Sequence, residues 1–222
     1  MLESIKVKYL QTVEALAEGG VKNVFRAHPQ VYQNRLATPV VMELATSNIT
    51  LPPPPQNTTF QFIEIKMEDM QAGKWTFAVP SRGIKTLLNL KTGFRSFAVA
   101  EATKVIGDIW CFIPPEPGKV ISHPELSMMK ILGITLNKGD VYAFDMVIDP
   151  AYRGKNLATP LQRFLQARMK MEGYQNVYGY YWDDNIPALW MHRMLKFKEL
   201  PKKSISRFFF FMRTRQGEGG SQ

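Results

Sequence analysis

Apolar residues recur at helical spacing at the start of the chain, where Leu2, Ile5, Tyr9, Val13 and Leu16 form a stripe that ends at Gly19-Gly20. This period predicts an amphipathic helix over 2–18, with the stripe read as a packing face. Residues 21–49 show no clear period, are broken by Pro29 and Pro39, and support no assignment. LPPPPQN at 51–57 predicts a short extended connector. Beyond it, TTFQFIEIK alternates as a strand and 83–90 predicts a short helix. RSFAVAEATKVIGDIWCFI predicts a β-hairpin with strands at 96–101 and 105–113.

Residues 114–139 read as loop-rich, and VYAFDMVIDP then forms a strongly apolar strand stopped by Pro150. Leu157, Leu161, Phe164, Leu165 and Met171 follow at helical spacing up to Gly173, so strand, tight loop and helix occupy one short unit. VYGYYW predicts a strand, IPALWMHRMLKF a helix, SISRFFFFMRT a final strand, and the Gly-rich end a mobile tail. The pattern divides the chain into an N-terminal helical extension with its Pro-rich connector (1–57), one α/β domain (58–215) and the tail (216–222).

Composition narrows the class. With 222 residues, 45% of them apolar and 12% aromatic, the chain can bury a substantial core. The single Cys111 lies in an apolar run with no neighbouring His, so it reads as a small buried residue rather than a nucleophile. The start of the chain lacks a signal-peptide pattern, and no apolar run reaches the roughly 18 residues of a membrane span, so the cytoplasm is the expected location. A net charge of +9 favours anionic partners, among them coenzyme A and acidic carrier proteins. The basic residues form no block, and no zinc-ligand spacing or nucleic-acid module accompanies them, so neither a metal nor a nucleic-acid partner is expected. A homodimer is left open.

Between the apolar strand and its helix lie Arg153, Gly154, Lys155, Asn156, Leu157 and Ala158. Amide N–H groups of such a turn, at a helix N-terminus, form a concavity that binds phosphate oxygens, and Arg153 and Lys155 would add full charges. Gly154, Asn156 and Ala158 suit a backbone that must turn and approach a ligand closely. The same residue types also serve ordinary strand-to-helix turns for steric reasons.

The run VIDPAYRGKNLATPL resembles the acyl-coenzyme A signature of the GNAT acyltransferase superfamily, whose pattern is Arg or Gln, two residues, Gly, one residue, then Gly or Ala. The match falls at Arg153 and Ala158, with Asn156 in the usual place of Gly. DNIPALWMHRMLKFKEL resembles a second GNAT run, its positions taken here by Asn185, Ala188, His192, Lys196 and Phe197. The two motifs have the family's order and separation, and the resemblance covers about 60–212. It implies a GNAT acyltransferase fold: a mixed, mostly antiparallel central sheet flanked by helices, here with the N-terminal helical extension.

The resemblance further implies an N-acyltransferase acting by direct transfer, with acetyl-CoA or another acyl-CoA as co-substrate, no metal, and an amine-bearing small molecule or protein as acceptor. The strand carrying Met146, Val147 and Ile148 would splay from its neighbour at a β-bulge and pair with the pantetheine arm, with an N–H at Met146 or Val147 facing the thioester oxygen. His192 stands where many members carry a Tyr acid. It could donate a proton, hydrogen-bond the sulfur, or simply pack. Asp145 on the key strand is the first choice of base, ahead of Asp183-Asp184, Tyr142, Glu101 and His123. Asn185 would contact the cofactor arm or cap its helix. Two other readings stay open: a degenerate fold used as a binding module, and transfer of a longer acyl chain from an acyl-carrier protein.

Overall fold

The computed structural model describes residues 2–19, 32–53, 59–115, 121, 123–208 and 211–216. The elements in chain order are α1 (Leu2–Gly19), β1 (Tyr32–Glu43), β2 (Phe60–Ile65), α2 (Met67–Gln71), β3 (Thr76–Phe77), α3 (Pro80–Lys91), β4 (Arg95–Glu101), β5 (Lys104–Phe112) and α4 (Pro124–Ile131). There follow β6 (Asp140–Ile148), a 3-10 turn (Pro150–Tyr152), α5 (Ala158–Met171), β7 (Asn176–Trp182), α6 (Ile186–Met194), β8 (Lys198–Glu199), β9 (Lys203–Phe208) and β10 (Phe211–Gln216). The strands form one sheet in the order β10-β9-β1-β7-β6-β5-β4-β2, with β3 beside β5 and β8 beside β1. Pairing is antiparallel except for β6 with β7 and β3 with β5. The expected class, a mostly antiparallel sheet flanked by helices with a helix at the N-terminus, is therefore what forms.

Alternation along the strands divides the core into two layers. Val99, Cys111, Val141, Ala143 and Val177 face α5 and α6 and pack on Leu161, Leu165, Met169 and Met191. Cys111 is fully buried there with its Sγ 3.9 Å from Met169 Sδ, and burial pushes its thiol up to about 12, as suits packing rather than reactivity. On the opposite face Trp110, Phe112, Tyr142 and Phe144 pack on Phe94 and on Leu126, Met128 and Met129 of α4. Among the described residues no helix is long and apolar enough to cross a membrane.

Several expectations are corrected. Residues 32–43, left without assignment, form β1, which pairs with β7 through 37–43 and with β9 through 32–37. Strands on both sides of residue 57 thus belong to one sheet. The 114–139 stretch contains α4, and the final apolar run is a hairpin of β9 and β10 rather than one strand. Helix α1 forms as predicted, yet the described part of its stripe does not pack: Ile5 and Tyr9 are 58% and 66% exposed, and Val13 and Leu16 are also exposed. The helix lies on α3 through its other side, burying Val7 and Ala15. There Glu14 accepts hydrogen bonds from the Ser81 N–H at 2.8 Å and its hydroxyl at 2.6 Å, answering the open amides of the first turn of α3. Residues 54–57 of the connector, and the expected mobile tail beyond Gln216, lie outside the described residues.

The feature that shapes the centre of the sheet is a β-bulge in β6. Trp110 pairs with Phe144 and Asp108 with Val147, so Asp145 and Met146 together oppose Ile109. Asp145 adopts φ +54°, a conformation that costs most L-residues about 1–2 kcal/mol and that Asp tolerates better than most. The extra residue resets the alternation: Met146 and Ile148 pack toward α5, while Asp145 turns to the opposite face. Gly107 on β5 makes room, since a Cβ there would lie 2.4 Å from Ile148 Cδ1.

Arg82 of α3 holds the bulge. Its guanidinium donates to both oxygens of Asp108 (2.9 and 2.7 Å), to the Asp145 carboxylate (2.6 Å) and to the Asp145 backbone carbonyl (2.9 Å). Lys85, one helical turn on, also bonds the Asp145 carboxylate. The Arg82 and Asp108 side chains are 6% and 2% exposed, so each buried charge depends on its partners. Burial alone would raise the Asp145 carboxyl, but the charges of Arg82 and Lys85 outweigh it and hold it far below the usual carboxylate range.

Removing the guanidinium by Arg82→Met strands two carboxylates and is expected to cost about 3–5 kcal/mol in urea-induced unfolding; a loss under 1 kcal/mol would show that the clamp carries no stability. Because the folded Asp145 pKa is depressed, its stabilisation is complete above the unfolded value of about 3.9 and is lost as pH falls toward the folded value. Unfolding curves between pH 5 and 2 should show this acid loss in the intact protein and a smaller one in Asp145→Asn.

Candidate functional site

Strands β6 and β7 are parallel neighbours only over Asp140–Asn176, Val141–Val177 and Tyr142–Tyr178. Past Tyr142 they diverge, and the β6 edge from Ala143 to Ile148 faces a gap while its other edge stays paired with β5. Gly179 sits where the gap opens: a Cβ there would come within 3.1 Å of the Ala143 carbonyl oxygen. Met146, Val147 and Ile148 line the splayed edge and are half-buried, so the strand expected to receive an extended ligand arm presents backbone that β7 does not occupy.

The loop follows directly. Asp149 caps the 3-10 turn by accepting from the Ala151 N–H at 2.9 Å. Gly154 at φ +81° and Asn156 at φ +54° then turn the chain, so Asn supplies the left-handed backbone expected of it in place of Gly. Leu157, 4% exposed, anchors the loop in the core, and α5 begins at Ala158 without a side-chain cap. Among the described residues, no turn, loop or cap hydrogen bond starts from the backbone amides of residues 154–159. Arg153, Gly154, Lys155 and Asn156 are exposed around this amide-lined turn, and the Lys155 ammonium stands 4.6 Å from the Tyr152 ring centroid. The six loop residues singled out from the sequence are thus brought together at the start of one helix, beside the gap.

The second motif is mostly structural. Asn185 caps α6, its side-chain oxygen accepting from the Ala188 N–H at 3.3 Å. Lys196 holds φ +61° where the family pattern has Gly, so the chain keeps the same turn with a less suited residue.

His192 does not stand ready as an acid. It is 8% exposed, stacked on Tyr181 at 5.3 Å, and edge-on to Phe197 at 4.9 Å. Its Nδ1 lies 2.7 Å from the Ala188 carbonyl oxygen, which can only accept, so Nδ1 carries the hydrogen. Burial pulls its pKa down against that hydrogen bond. The neutral ring at pH 7 then has a bare Nε2 and no proton to give at that atom.

Asp145 is corrected in the same way as a base, because two cations stabilise its carboxylate and weaken its hold on a proton. It also faces α3, whereas His192 belongs to the layer of α6, so the two expected catalytic side chains lie on opposite faces of the sheet. The weaker candidates are engaged elsewhere: Glu101 accepts from the Tyr152 hydroxyl at 2.6 Å, Asp183 pairs with Lys202 at 2.6 Å, and Asp184 pairs with Arg35. His123 accepts at Nδ1 from the Glu125 N–H at 3.2 Å, and burial, followed by the charge of Lys85, pulls it down to about 4.

Glu125 stands outside the site residues expected from the sequence. It is the second residue of α4, and burial, with the charge of Asp145, pushes its carboxyl up to about 7 against the pull of Lys85, Arg82 and a hydrogen bond from Tyr180. The signal was present in SHPEL, where Pro and Glu follow a capping residue as they do at helix starts. Arg82 and Lys85, just before and at the start of the helix expected over 83–90, were readable as a basic pair but not as the partners of β6.

No protein-family profile and no curated protein matches this sequence. Solved structures do match in shape. A tandem GNAT protein from the clavulanic acid biosynthesis pathway superposes with a TM-score of 0.53 at 12% identity, over 92% of this chain and 60% of that one. A GCN5-related glucosamine N-acetyltransferase region of a fungal multi-domain β-N-acetylglucosaminidase gives 0.52 at 10% identity, over 80% of this chain and 21% of that one. A Drosophila protein gives 0.50 at 9% identity, over 84% and 55%. The chain spans less than two thirds of the length of each of these structures. With a bulged β6, a splay against β7 and an amide-lined loop into α5, the chain has the fold of the GNAT acetyltransferases.

Proposed function

We propose that the protein is an acyl-CoA-dependent N-acyltransferase, with acetyl-CoA the first acyl donor to test. The observation that carries this reading is the pairing of the amide-lined turn at 154–159 with the gap that opens beside it between β6 and β7. The turn suits a diphosphate: several amides converge at a helix N-terminus, Gly154 and Asn156 let the backbone approach, and Arg153 and Lys155 supply charge. The edge at Met146, Val147 and Ile148 suits an amide-bearing arm that pairs as an extra strand. The thioester supplies an activated acyl group. The chain's own contribution is to hold it beside the bulge, where a backbone N–H at Met146 or Val147 can bond its oxygen, and to admit an amine from the open side.

Neither Asp145 nor His192 has a proton-transfer role in this proposal. A thiol has a pKa of about 8.5, so the departing sulfur leaves as a thiolate without an obligatory acid. A second reading, a GNAT fold that binds acyl-CoA without turnover, is favoured by the packed His192 and would appear as binding with no thiol release across a broad panel of amines.

Isothermal calorimetry with acetyl-CoA is expected to show one site on the intact protein, weakened at least tenfold by Arg153→Glu. The absence of binding by the intact protein would remove the acyl-CoA reading. Asn156→Gly should leave affinity within about threefold, since Gly adopts the same backbone, whereas Asn156→Val should weaken binding by straining the turn by about 1–2 kcal/mol. His192→Phe keeps an aromatic ring in the stack. It should retain thiol-release turnover within threefold, and a hundredfold loss at unchanged affinity would restore His192 as a catalytic group.

A further inference from the structure

On the side of the β6–β7 gap opposite α5, three polar side chains converge at the edge of the core. Tyr142 on β6 and Tyr180 on β7 face that side, at and just beyond the last paired residues of the two strands. Glu125, carried by α4 across the same layer, accepts a hydrogen bond from the Tyr180 hydroxyl. It also lies close enough to Tyr142 for its charge to be felt there. Two buried atoms in this cluster have no hydrogen-bond partner among the described residues: Glu125 Oε2 and the hydroxyl of Tyr142, a residue with 0% exposure. Leaving two such atoms unmatched costs free energy unless a ligand or water completes the set.

The charges around the cluster explain its state. Arg82, Lys85, Asp108 and Asp145 form a closed set of two cations and two anions. Glu125 adds a third carboxyl to that set, with no cation bonded to it among the described residues, and neighbouring His123 is neutral. Its ionised form is therefore held by Tyr180, by the distant pull of Lys85 and Arg82, and by whatever cation enters.

We propose that Glu125 is the catalytic base of this protein, receiving the amino group of a primary-amine acceptor at the mouth of the β6–β7 gap and taking its proton during acyl transfer. This rests on the acyltransferase reading. A carboxylate flanked by tyrosine hydroxyls binds a primary ammonium, accepts its first proton as the neutral amine forms and passes that proton to water, so that it is ionised again before the attack. The neutral amine then attacks the thioester carbon. The N–C bond forms, the C–S bond breaks with its electron pair leaving on sulfur as thiolate, and the surplus N–H proton passes to Glu125 and on to water. The carboxyl, pushed up to about 7, is suited to give and take a proton near neutral pH.

The test compares the intact protein with Glu125→Gln and Glu125→Asp, using acetyl-CoA and a panel of primary amines, with folding checked by thermal melting. Glu125→Gln is expected to lower kcat at least a hundredfold with acetyl-CoA affinity unchanged by calorimetry, and Glu125→Asp should recover part of the loss. The kcat/KM profile of the intact protein should carry an acid limb near pH 7 that Glu125→Gln lacks. A carbon-13 glutamate carboxyl resonance should titrate near pH 7 in the intact protein and vanish in Glu125→Gln. Turnover in Glu125→Gln within threefold of the intact protein, with the limb intact, overturns the assignment while leaving the acyltransferase reading standing. An intact protein that binds no acetyl-CoA overturns both.

Discussion

The contact between Arg82 and the β6 bulge is the constraint on which the middle of the molecule depends. A bulge leaves a backbone carbonyl turned out of register and a residue in an unfavourable conformation, and nothing within β6 itself would hold it. Arg82 meets that carbonyl, the carboxylate of the bulged residue and the facing Asp108 with one planar group. Lysine could not do this, because a point charge lacks the fixed fork of donors. Once β6 is bent here, its far end leaves β7, the gap opens, and the loop after Ile148 is aimed into the start of α5.

The same constraint separates two kinds of polar group. Asp145 looked like a base because it lies on the strand nearest the expected chemistry, but its position makes it part of the scaffold, saturated by Arg82 and Lys85. Glu125 lies on a separate helix on the same face and, among the described residues, forms no ion pair with that set, although it feels the charges of Lys85 and Arg82. Asp145 and Glu125 have opposite tendencies: the charges of Arg82 and Lys85 overcome the burial of Asp145 and hold it down, while burial, with the charge of Asp145, pushes Glu125 up against their weaker pull.

Much of the architecture was legible in the sequence, because it is written in local patterns. The β6–loop–α5 unit announces itself by an apolar run, a proline stop and a 3.6-residue period, and Asn156 took the left-handed turn its chemistry allows. The hairpin of β4 and β5 and the strand β7 were equally plain. Long-range features were not. Arg82 and Asp145 are 63 residues apart, and no local period says that one clamps the other. β1 was hidden because Pro39 interrupts its pattern, yet a proline fits where it stands in the sheet opposite Tyr180. The α1 stripe was read correctly as apolar and wrongly as buried, since periodicity gives the face and not what meets it. His192 could not be decided from its motif. Its packing depends on Tyr181 and Phe197, which lie outside its helix.

The placement of β1 has a consequence for how the molecule comes together in time. This strand is synthesised long before β7 and β9, between which it finally lies, with partners such as Val40–Gly179 and Arg35–Ile205 far apart along the chain. Closing loops of that size costs entropy before any contact repays it, and sheets assembled this way fold slowly. β7 forms one wall of the gap, and its flank stays bare until β1 docks. During that interval the chain carries an open strand edge, so this region is the one most exposed to mispairing while the protein is being made.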